Sequence, residues 1–259
     1  MESSIYKYPD IFRSVHMESP GDIEAETEFL RRVWRGHLDR RPRRVLDIAC
    51  GNSPHGQILA RDGIEVVGID RSLTMIAAGR RESRGLPMRF YRRSIAKFSI
   101  PERPCDGACF MSETFPVLTD NLAILDHLRS VAAAMRRGGI YCIDIDKMDA
   151  PRMPRERRQW QRRTVRIGDI TVKVRTFHHP IPWNSGLHSI YELECEIHFP
   201  DRIETTRDVI PIRYTLPPTL ELAAQASGVF EMVAAYSDLS MVEPMAECHG
   251  RWLGVLRRI

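Results

Sequence analysis

Short runs of apolar residues recur along the first 145 residues, with mixed polar and apolar stretches between them. Runs of this length, bounded by turn residues, are typical of buried β-strands. The pattern predicts strands at 44–49, 64–70, 88–91, 107–111 and 140–145. A first helix is predicted to start near Asp22, and a later one to run from about Asn121 to Arg136 and end at Gly138-Gly139. Strands that alternate with helices favour a parallel sheet covered on both faces.

The pattern changes after Asp149, because residues 164–214 alternate between apolar and polar side chains. Gly168-Asp169 is a favourable hairpin turn. Between 191 and 199, the odd positions form an apolar face and the even positions a polar one. A small antiparallel sheet is therefore expected here. A helix at 220–227 and two closing strands at 230–236 and 252–256 complete the predicted elements.

The turn after the first strand, from Asp47 to Gly56, carries the strongest functional signal. Ser53-Pro54 is expected to form the N-cap and first position of a helix, and Asp70 ends the next strand. A turn of small residues lets backbone amides approach a ligand, and a helix N-terminus favours an anionic group. An acid at the second strand tip can accept both ribose hydroxyls. This arrangement predicts a nucleoside-binding site.

Three cofactor classes compete for this site. Gly51 and Gly56 have the spacing of a phosphate-binding P-loop, but Gln57 follows where that loop needs lysine. A dinucleotide site needs three glycines in Gly-x-Gly-x-x-Gly, and two are missing here. S-adenosylmethionine brings an amino-acid end and an adenosine but no pyrophosphate, so it needs fewer glycines.

In these residues the chain resembles the class I S-adenosylmethionine-dependent methyltransferases. Val45–Gly51 is similar to their first motif, and Gly68–Ser72 with Met75 is similar to their second. Residues 106–115 resemble their fourth-strand motif, and residues 128–141 resemble the helix and Gly-Gly turn before the fifth strand.

The resemblance implies an α/β fold: a Rossmann-like, seven-stranded, mostly parallel sheet with helices on both faces, plus a small inserted antiparallel β-sheet. Residues 1–149 are expected to form an N-terminal helix and the cofactor-binding core. Residues 150–215 are expected to form the inserted sheet as a lid over the substrate that selects the acceptor. Residues 216–259 are expected to return to the core as a helix and a closing hairpin.

The resemblance also implies S-adenosylmethionine as the cofactor, held at the first turn, the second strand tip and the ends of strands three and four. The expected cofactor-binding residues are Tyr8, Asp47, Ala49, Cys50, Gly51, Asn52, Asp70, Arg71, Met75, Ser94, Ile95, Met111 and Ser112. Two positions depart from the family pattern. Ser53 replaces the third motif glycine, and Ser94 stands where an acid often contacts the adenine amino group.

Candidate catalytic residues follow strand four and occupy the inserted sheet. Glu113 could orient or deprotonate an amine or hydroxyl. His178 and His179, placed with Trp183 in a loop between the inserted hairpins, could supply a general base. No metal is expected, because the adjacent histidines lack a clear third ligand. The expected reaction is in-line methyl transfer to a nitrogen or oxygen of a small molecule. The alternatives are cyclisation or elimination on the cofactor itself, or a degenerate cofactor-binding scaffold.

Composition narrows the partners further. The chain has 259 residues, 43% of them hydrophobic, and no apolar run long enough to span a membrane. The N-terminus lacks signal-peptide features, and Cys50, Cys109 and Cys142 are expected to be small buried hydrophobes. Both features predict a cytoplasmic protein. The chain is expected to be a monomer or a homodimer. Nucleic acid is not an expected partner, although arginines cluster at two places. These are Arg31, Arg32, Arg35, Arg40, Arg41, Arg43 and Arg44, and Arg152, Arg155, Arg157, Arg158, Arg162, Arg163 and Arg166.

Overall fold

Two β-sheets organise the molecule. The computed structural model describes residues 4–16, 20–145, 156–181, 187–240 and 251–259. The larger sheet has seven strands in the order β10-β11-β5-β4-β1-β2-β3. Its strands are β1 (Arg44–Ile48), β2 (Glu65–Asp70), β3 (Met88–Arg92), β4 (Cys105–Phe110), β5 (Met135–Ile145), β10 (Phe230–Tyr236) and β11 (Trp252–Arg258). Only β11 runs antiparallel to its neighbours β5 and β10, so the predicted mostly parallel sheet is confirmed.

Helices cover both faces of this sheet, as expected for parallel strands. They are α1 (Pro9–His16), α2 (Pro20–His37), α3 (Pro54–Arg61), α4 (Leu73–Glu82), α5 (Asn121–Ala134) and α6 (Pro217–Ser227). Leu128 of α5 and Leu220 of α6 join one buried cluster, whereas Phe29 of α2 and Leu59 of α3 join the other. The carboxyl ends of β1, β2, β4 and β5 therefore lie at one edge, where ligands bind in folds of this kind.

The second sheet is antiparallel, in the order β6-β7-β8-β9. Its strands are β6 (Arg158–Ile167), β7 (Ile170–Pro180), β8 (His188–His198) and β9 (Ile203–Arg213). The Gly168-Asp169 turn and the two-faced strand β8 are confirmed. The inner face buries Leu193, Cys195 and Ile197 against the N-terminal segment, and Lys173 and Arg175 of the outer face are exposed.

The helix predicted to start near Asp22 is confirmed as α2, but it is not the first helix of the chain. A short 3-10 helix (Ile5–Lys7) and helix α1 precede α2. Ile11 and Val15 of α1 lie four residues apart and pack on the inner face of the second sheet. A helix of eight residues has little stability of its own, so this packing is what makes it form.

Two local expectations are wrong. The histidine pair lies inside strand β7, because pairing with β8 extends as far as Pro180 and Ser189. Helix α5 ends at Ala134, and Gly138-Gly139 belong to β5, where the register shifts against β4. In both places long-range strand pairing overrides the local signal.

Within the described residues, no helix is both long and apolar enough to cross a membrane. The five cysteines in this part of the chain are free and buried, which confirms the packing role expected for Cys50, Cys109 and Cys142. Several arginines of the first cluster are paired: Arg31 with Asp62, Arg40 with Asp106 and Arg44 with Glu65.

Candidate cofactor and acceptor site

The turn between β1 and α3 has an unusual backbone. Ala49, Gly51 and Ser53 have positive φ angles of 51°, 56° and 59°. Glycine adopts this region freely, but alanine and serine do so at a cost of roughly 1–3 kcal/mol each. A Cβ atom added to Gly51 would meet nothing within 4 Å. Gly51 therefore presents bare backbone to open space, as the methionine end of S-adenosylmethionine requires.

Ser53 has a different task from the one expected. Its side chain makes no capping hydrogen bond to α3. Its hydroxyl instead donates to Asp47 Oδ2 at 2.6 Å. Asp47 is 2% exposed, and burial raises the pKa of this carboxyl group. The serine that replaces the family's third glycine thus satisfies a buried acid and ties the end of the turn to β1.

Asp70 holds the other side of the turn. Its Oδ2 accepts the Gly51 amide at 2.9 Å, and its Oδ1 accepts the Ser72 amide at 2.7 Å. Burial raises the pKa of Asp70. Each carboxylate oxygen has two lone pairs, so both keep capacity for a ribose hydroxyl. Met75 is buried one turn further on, and Arg71 is exposed.

The segment after β3 lies at the expected adenine side. Ser94 is exposed and its hydroxyl accepts the Ala96 amide at 3.3 Å. The Ile95 carbonyl accepts a hydrogen bond from His127 Nδ1 at 2.7 Å. Two other predicted residues have structural partners: Asn52 donates to Glu82 at 2.7 Å, and the Cys50 sulfur lies against Gly68.

A second strained turn follows β4. Ser112 and Glu113 have φ angles of 58° and 51°, and Met111 before them is buried. The Glu113 amide donates to Asp144 Oδ2 at 3.0 Å, and the Glu113 carboxylate lies 3.9 Å from Arg251 Nε. Strained residues cluster where ligands are bound and chemistry occurs. The Glu113 side chain is 43% exposed, so it can reach an acceptor.

A buried charge network lies behind this turn, and the sequence reasoning missed it. Arg251 Nε and Nη2 each donate to Asp144 at 2.7 Å, and Nη2 also donates to Glu26. Glu26 in turn bonds His55, in the first turn of α3. Burial raises the pKa of Asp144; burial also opposes ionisation of Glu26, but His55 and Arg251 lower its pKa. The one available sequence signal was Asp144 itself, an acid inside an apolar strand.

The two adjacent histidines lie on opposite faces of the second sheet. His178 is buried on the inner face, with Nδ1 3.0 Å from the Tyr214 hydroxyl and its ring 5.5 Å from the Tyr191 ring. Burial, with a smaller contribution from His179, lowers the pKa of His178 to about 4. His179 is on the outer face and bonds the buried Glu192. Only His178 is oriented toward the core.

Two N-terminal tyrosines, Tyr6 and Tyr8, lie in different environments. Tyr8 donates its hydroxyl to Glu204, and its ring lies 5.8 Å from Phe199, both in the region of the second sheet. Tyr6 belongs to the 3-10 helix, which contacts α4, the helix that follows Asp70, and burial raises the pKa of Tyr6 to about 12. Tyr6 is thus the N-terminal tyrosine on the side of Asp70. Trp183 lies outside the described residues.

Side-chain contacts dock the second sheet against the region after β4. His188 Nε2 lies 2.8 Å from the Thr119 carbonyl, and Arg213 donates to Asn121 at 2.6 Å. Burial raises the pKa of Tyr191 on the inner face to about 12. The two contacts place the second sheet beside the segment that follows the Ser112-Glu113 turn.

Residues 45–139 match the model of the methyltransferase domain family. This range holds both strained turns, Asp70 and the segment after β3. The match identifies residues 45–139 as a methyltransferase domain. The open backbone at Gly51 and the acceptor capacity of Asp70 fit S-adenosylmethionine as the cofactor of such a domain. None of the curated protein sequences compared with the chain matches it.

Solved structures share the fold of this chain over nearly its whole length. The sugar N-methyltransferase KedS8 from Streptoalloteichus sp. ATCC 53650 is 22% identical, with a TM-score of 0.76 over 100% of this chain and 94% of its own. DesVI from Streptomyces venezuelae is 18% identical, with a TM-score of 0.75 over 98% and 99%. An amino pentose methyltransferase from Micromonospora echinaspora, solved with bound S-adenosylmethionine, is 17% identical, with a TM-score of 0.70 over 100% and 98%.

Proposed function

We propose that this methyltransferase acts on a nitrogen or oxygen nucleophile of a small molecule held between Glu113 and the inner face of the second sheet. The observation that carries the proposal is the meeting of two features. The strained turn at Ser112-Glu113 exposes a carboxylate at the carboxyl end of β4. The second sheet, whose inner face carries the aromatic rings of Tyr191 and His178, is docked against the segment after that turn.

The protein's main contribution is position. Bound S-adenosylmethionine supplies an electrophilic methyl group on a sulfonium. Asp70 and the backbone around Gly51 hold the cofactor, and the second sheet excludes water and orients the acceptor. Holding two reactants close and aligned can supply roughly 7–11 kcal/mol of the barrier reduction.

Glu113 and His178 have different parts in this proposal. A histidine with a pKa of about 4 is neutral at working pH but is a weak base. Compared with an ordinary imidazole, its protonation is disfavoured by roughly 3 kcal/mol. His178 therefore orients the acceptor through a hydrogen bond, and the partly exposed Glu113 carboxylate takes the proton that the nucleophile loses.

The structural neighbours support a nitrogen acceptor in particular. One is described as a sugar N-methyltransferase and another as an amino pentose methyltransferase. A carboxylate beside aromatic rings is also a favourable setting for an amine that becomes cationic during methylation.

The test is transfer of isotopically labelled methyl from S-adenosylmethionine to a panel of amino sugars, other small amines and phenols. We expect label on at least one amine, and Glu113→Gln should lower kcat at least tenfold with the S-adenosylhomocysteine Kd unchanged. Glu231→Gln, an exposed acid paired with Arg257, is the matched control. Methylthioadenosine that accumulates without any acceptor would contradict methyl transfer. No labelled product with the whole panel would contradict the proposed acceptor class.

A further inference from the structure

Helix α5 holds the segment after β3 by hydrogen bonds to Ile95 and Phe98. His127 and Ser130 lie three residues apart and so share one face of the helix. His127 Nδ1 is 2.7 Å from the Ile95 carbonyl, and the Ser130 hydroxyl accepts the Phe98 amide at 3.2 Å. The segment's position is thus set by a helix that packs in a different buried cluster from α3, the helix that follows the Gly51 turn.

The protonation state of His127 follows from its contacts. A carbonyl oxygen only accepts, so Nδ1 must carry the hydrogen that reaches Ile95. Burial lowers the pKa of the fully buried His127 to about 4, so the ring is neutral and Nε2 is an acceptor. Tyr141 donates its hydroxyl to Nε2 at 2.7 Å. Both ring nitrogens are satisfied in one tautomer.

The ring is also fixed in orientation. The Phe110, Phe115 and Tyr141 rings surround it, with centroids 5.5, 5.8 and 5.9 Å away. A buried imidazole with two directed hydrogen bonds and three aromatic neighbours cannot rotate without breaking those contacts. The Ile95 carbonyl is therefore held against a rigid partner.

This rigidity matters because the segment leaves β3 beside the tip of β2, where the Arg93 amide donates to the Asp70 carbonyl at 2.9 Å. The Ser94 hydroxyl is already engaged with the Ala96 amide. Because the Ala96 N–H is occupied by that contact, recognition of the base then falls on the other backbone groups of this segment, such as the Ile95 N–H. Adenine presents an acceptor at N1 and a donor at N6, whereas hypoxanthine presents the reverse, so backbone groups fixed in place can separate the two.

We propose that His127 is a positioning residue that fixes residues 94–96 against the purine edge and thereby determines preference for adenine over hypoxanthine. This inference rests on the proposed cofactor site at that segment. His127 touches neither reactant in the proposal and acts through Ile95.

Calorimetry with S-adenosylhomocysteine and S-inosylhomocysteine tests the inference without any acceptor. His127→Phe keeps an aromatic ring but removes the donor to Ile95, whereas His127→Asn can still donate from its amide. We expect His127→Phe to reduce the adenine-over-hypoxanthine preference at least tenfold and His127→Asn to retain most of it. Ser130→Ala, a milder change, should reduce the preference about threefold and keeps the test available if His127→Phe does not fold.

Different outcomes would overturn the cofactor site and the role of His127. Absence of S-adenosylhomocysteine binding to the wild-type protein would overturn the cofactor site itself. Wild-type binding with an unchanged base preference in the folded His127→Phe variant, or in Ser130→Ala if that variant does not fold, would overturn only the role of His127. An equal loss of affinity for both ligands would show a merely structural role and would also overturn it.

Discussion

At the scale of single residues, the hydrogen bond between Ser53 and Asp47 joins two residues that are each unfavourable by themselves. A serine with a φ of 59° is strained, and Asp47 is an acid buried in a strand. The hydrogen bond between them offsets the cost of burying the Asp47 carboxyl group and ties Ser53 to β1. The Ser53 side chain is tightly packed, because a Cβ atom added to Gly56 would lie 2.1 Å from the Ser53 hydroxyl.

Ser53→Ala should therefore lower the free energy of unfolding. Alanine keeps the strained backbone but leaves Asp47 Oδ2 without its donor, which costs roughly 1–3 kcal/mol in a buried site. Urea denaturation of wild type and variant at neutral pH measures the difference. Ser99→Ala, at an exposed position, is the control. Equal stability of the Ser53 variant and wild type would show that this contact carries little energy.

Asp70 is expected to control cofactor affinity in a pH-dependent way. Asp70→Asn should weaken S-adenosylhomocysteine binding about 10- to 100-fold, the scale of roughly 1–3 kcal/mol for a lost charged hydrogen bond. Burial raises the pKa of Asp70, and the ribose hydroxyls prefer the carboxylate. Wild-type affinity should fall as the pH drops through that raised pKa, and the variant should lack this dependence. Calorimetry at several pH values checks this, with exposed Asp62→Asn as the control.

At the scale of elements, the alternation of side chains along β7 places the neighbouring residues His178 and His179 on opposite faces of the second sheet. Successive residues of a strand point to opposite faces. His178 therefore joins Tyr191 and Tyr214 on the inner face, and His179 joins Glu192 on the outer face. Within the proposed function, His178→Ala should lower kcat/KM for the acceptor, and His179→Ala is its matched control.

Glu192 makes the outer face of this sheet sensitive to acid. Burial disfavours its ionised form, but Arg207, Arg157 and His179 lower its pKa from the usual 4.5 to about 2. A carboxyl group whose pKa is lower in the folded state stabilises the fold above the unfolded value and loses that contribution as the pH falls toward the folded value. The stability difference between wild type and Glu192→Gln should thus be largest above about pH 5.

Denaturation of both proteins at pH 6 and pH 3 checks this expectation. The difference in free energy of unfolding should shrink at pH 3. Exposed Glu231→Gln controls for the general loss of one carboxylate. A difference that stayed constant across this range would show that the arginines and His179 do not favour the ionised form.

At the scale of the whole molecule, the network of Arg251, Asp144, Glu26 and His55 joins four distant parts of the chain. It connects α2, the start of α3, the end of β5 and the residue before β11. Asp144 also holds the Glu113 turn. The start of α3 and the turn after β4 are therefore supported by one set of buried charges.

Arg251→Met should destabilise the protein by about 3–5 kcal/mol, because it leaves two buried carboxylates without their cation. Arg257→Met is the matched control: Arg257 pairs with exposed Glu231 at 3.6 Å, and such a pair contributes at most about 1 kcal/mol. Chemical denaturation of both variants measures the contrast. If the Arg251 variant lost no more stability than the Arg257 variant, the network would have no role in holding the fold together.

The sequence by itself determined the fold class and the order of the strands along the chain, because these depend on local signals, and its resemblance to a known family predicted the cofactor. Apolar runs mark buried strands such as β1 and β2, and small residues with Asp70 mark the nucleoside turn. The alternation in β8 determined which side chains share a face.

Only the tertiary structure decided which residues meet. Helix α1 and the end of β7 form through packing and pairing with distant segments, so local patterns could not reveal them. The partners of Asp144 are a residue more than a hundred positions away, Arg251, and the backbone of Glu113, and those of His127 lie on β5 and after β3. Such contacts depend on how elements are stacked in space, and a linear pattern of apolar and polar positions does not contain that information.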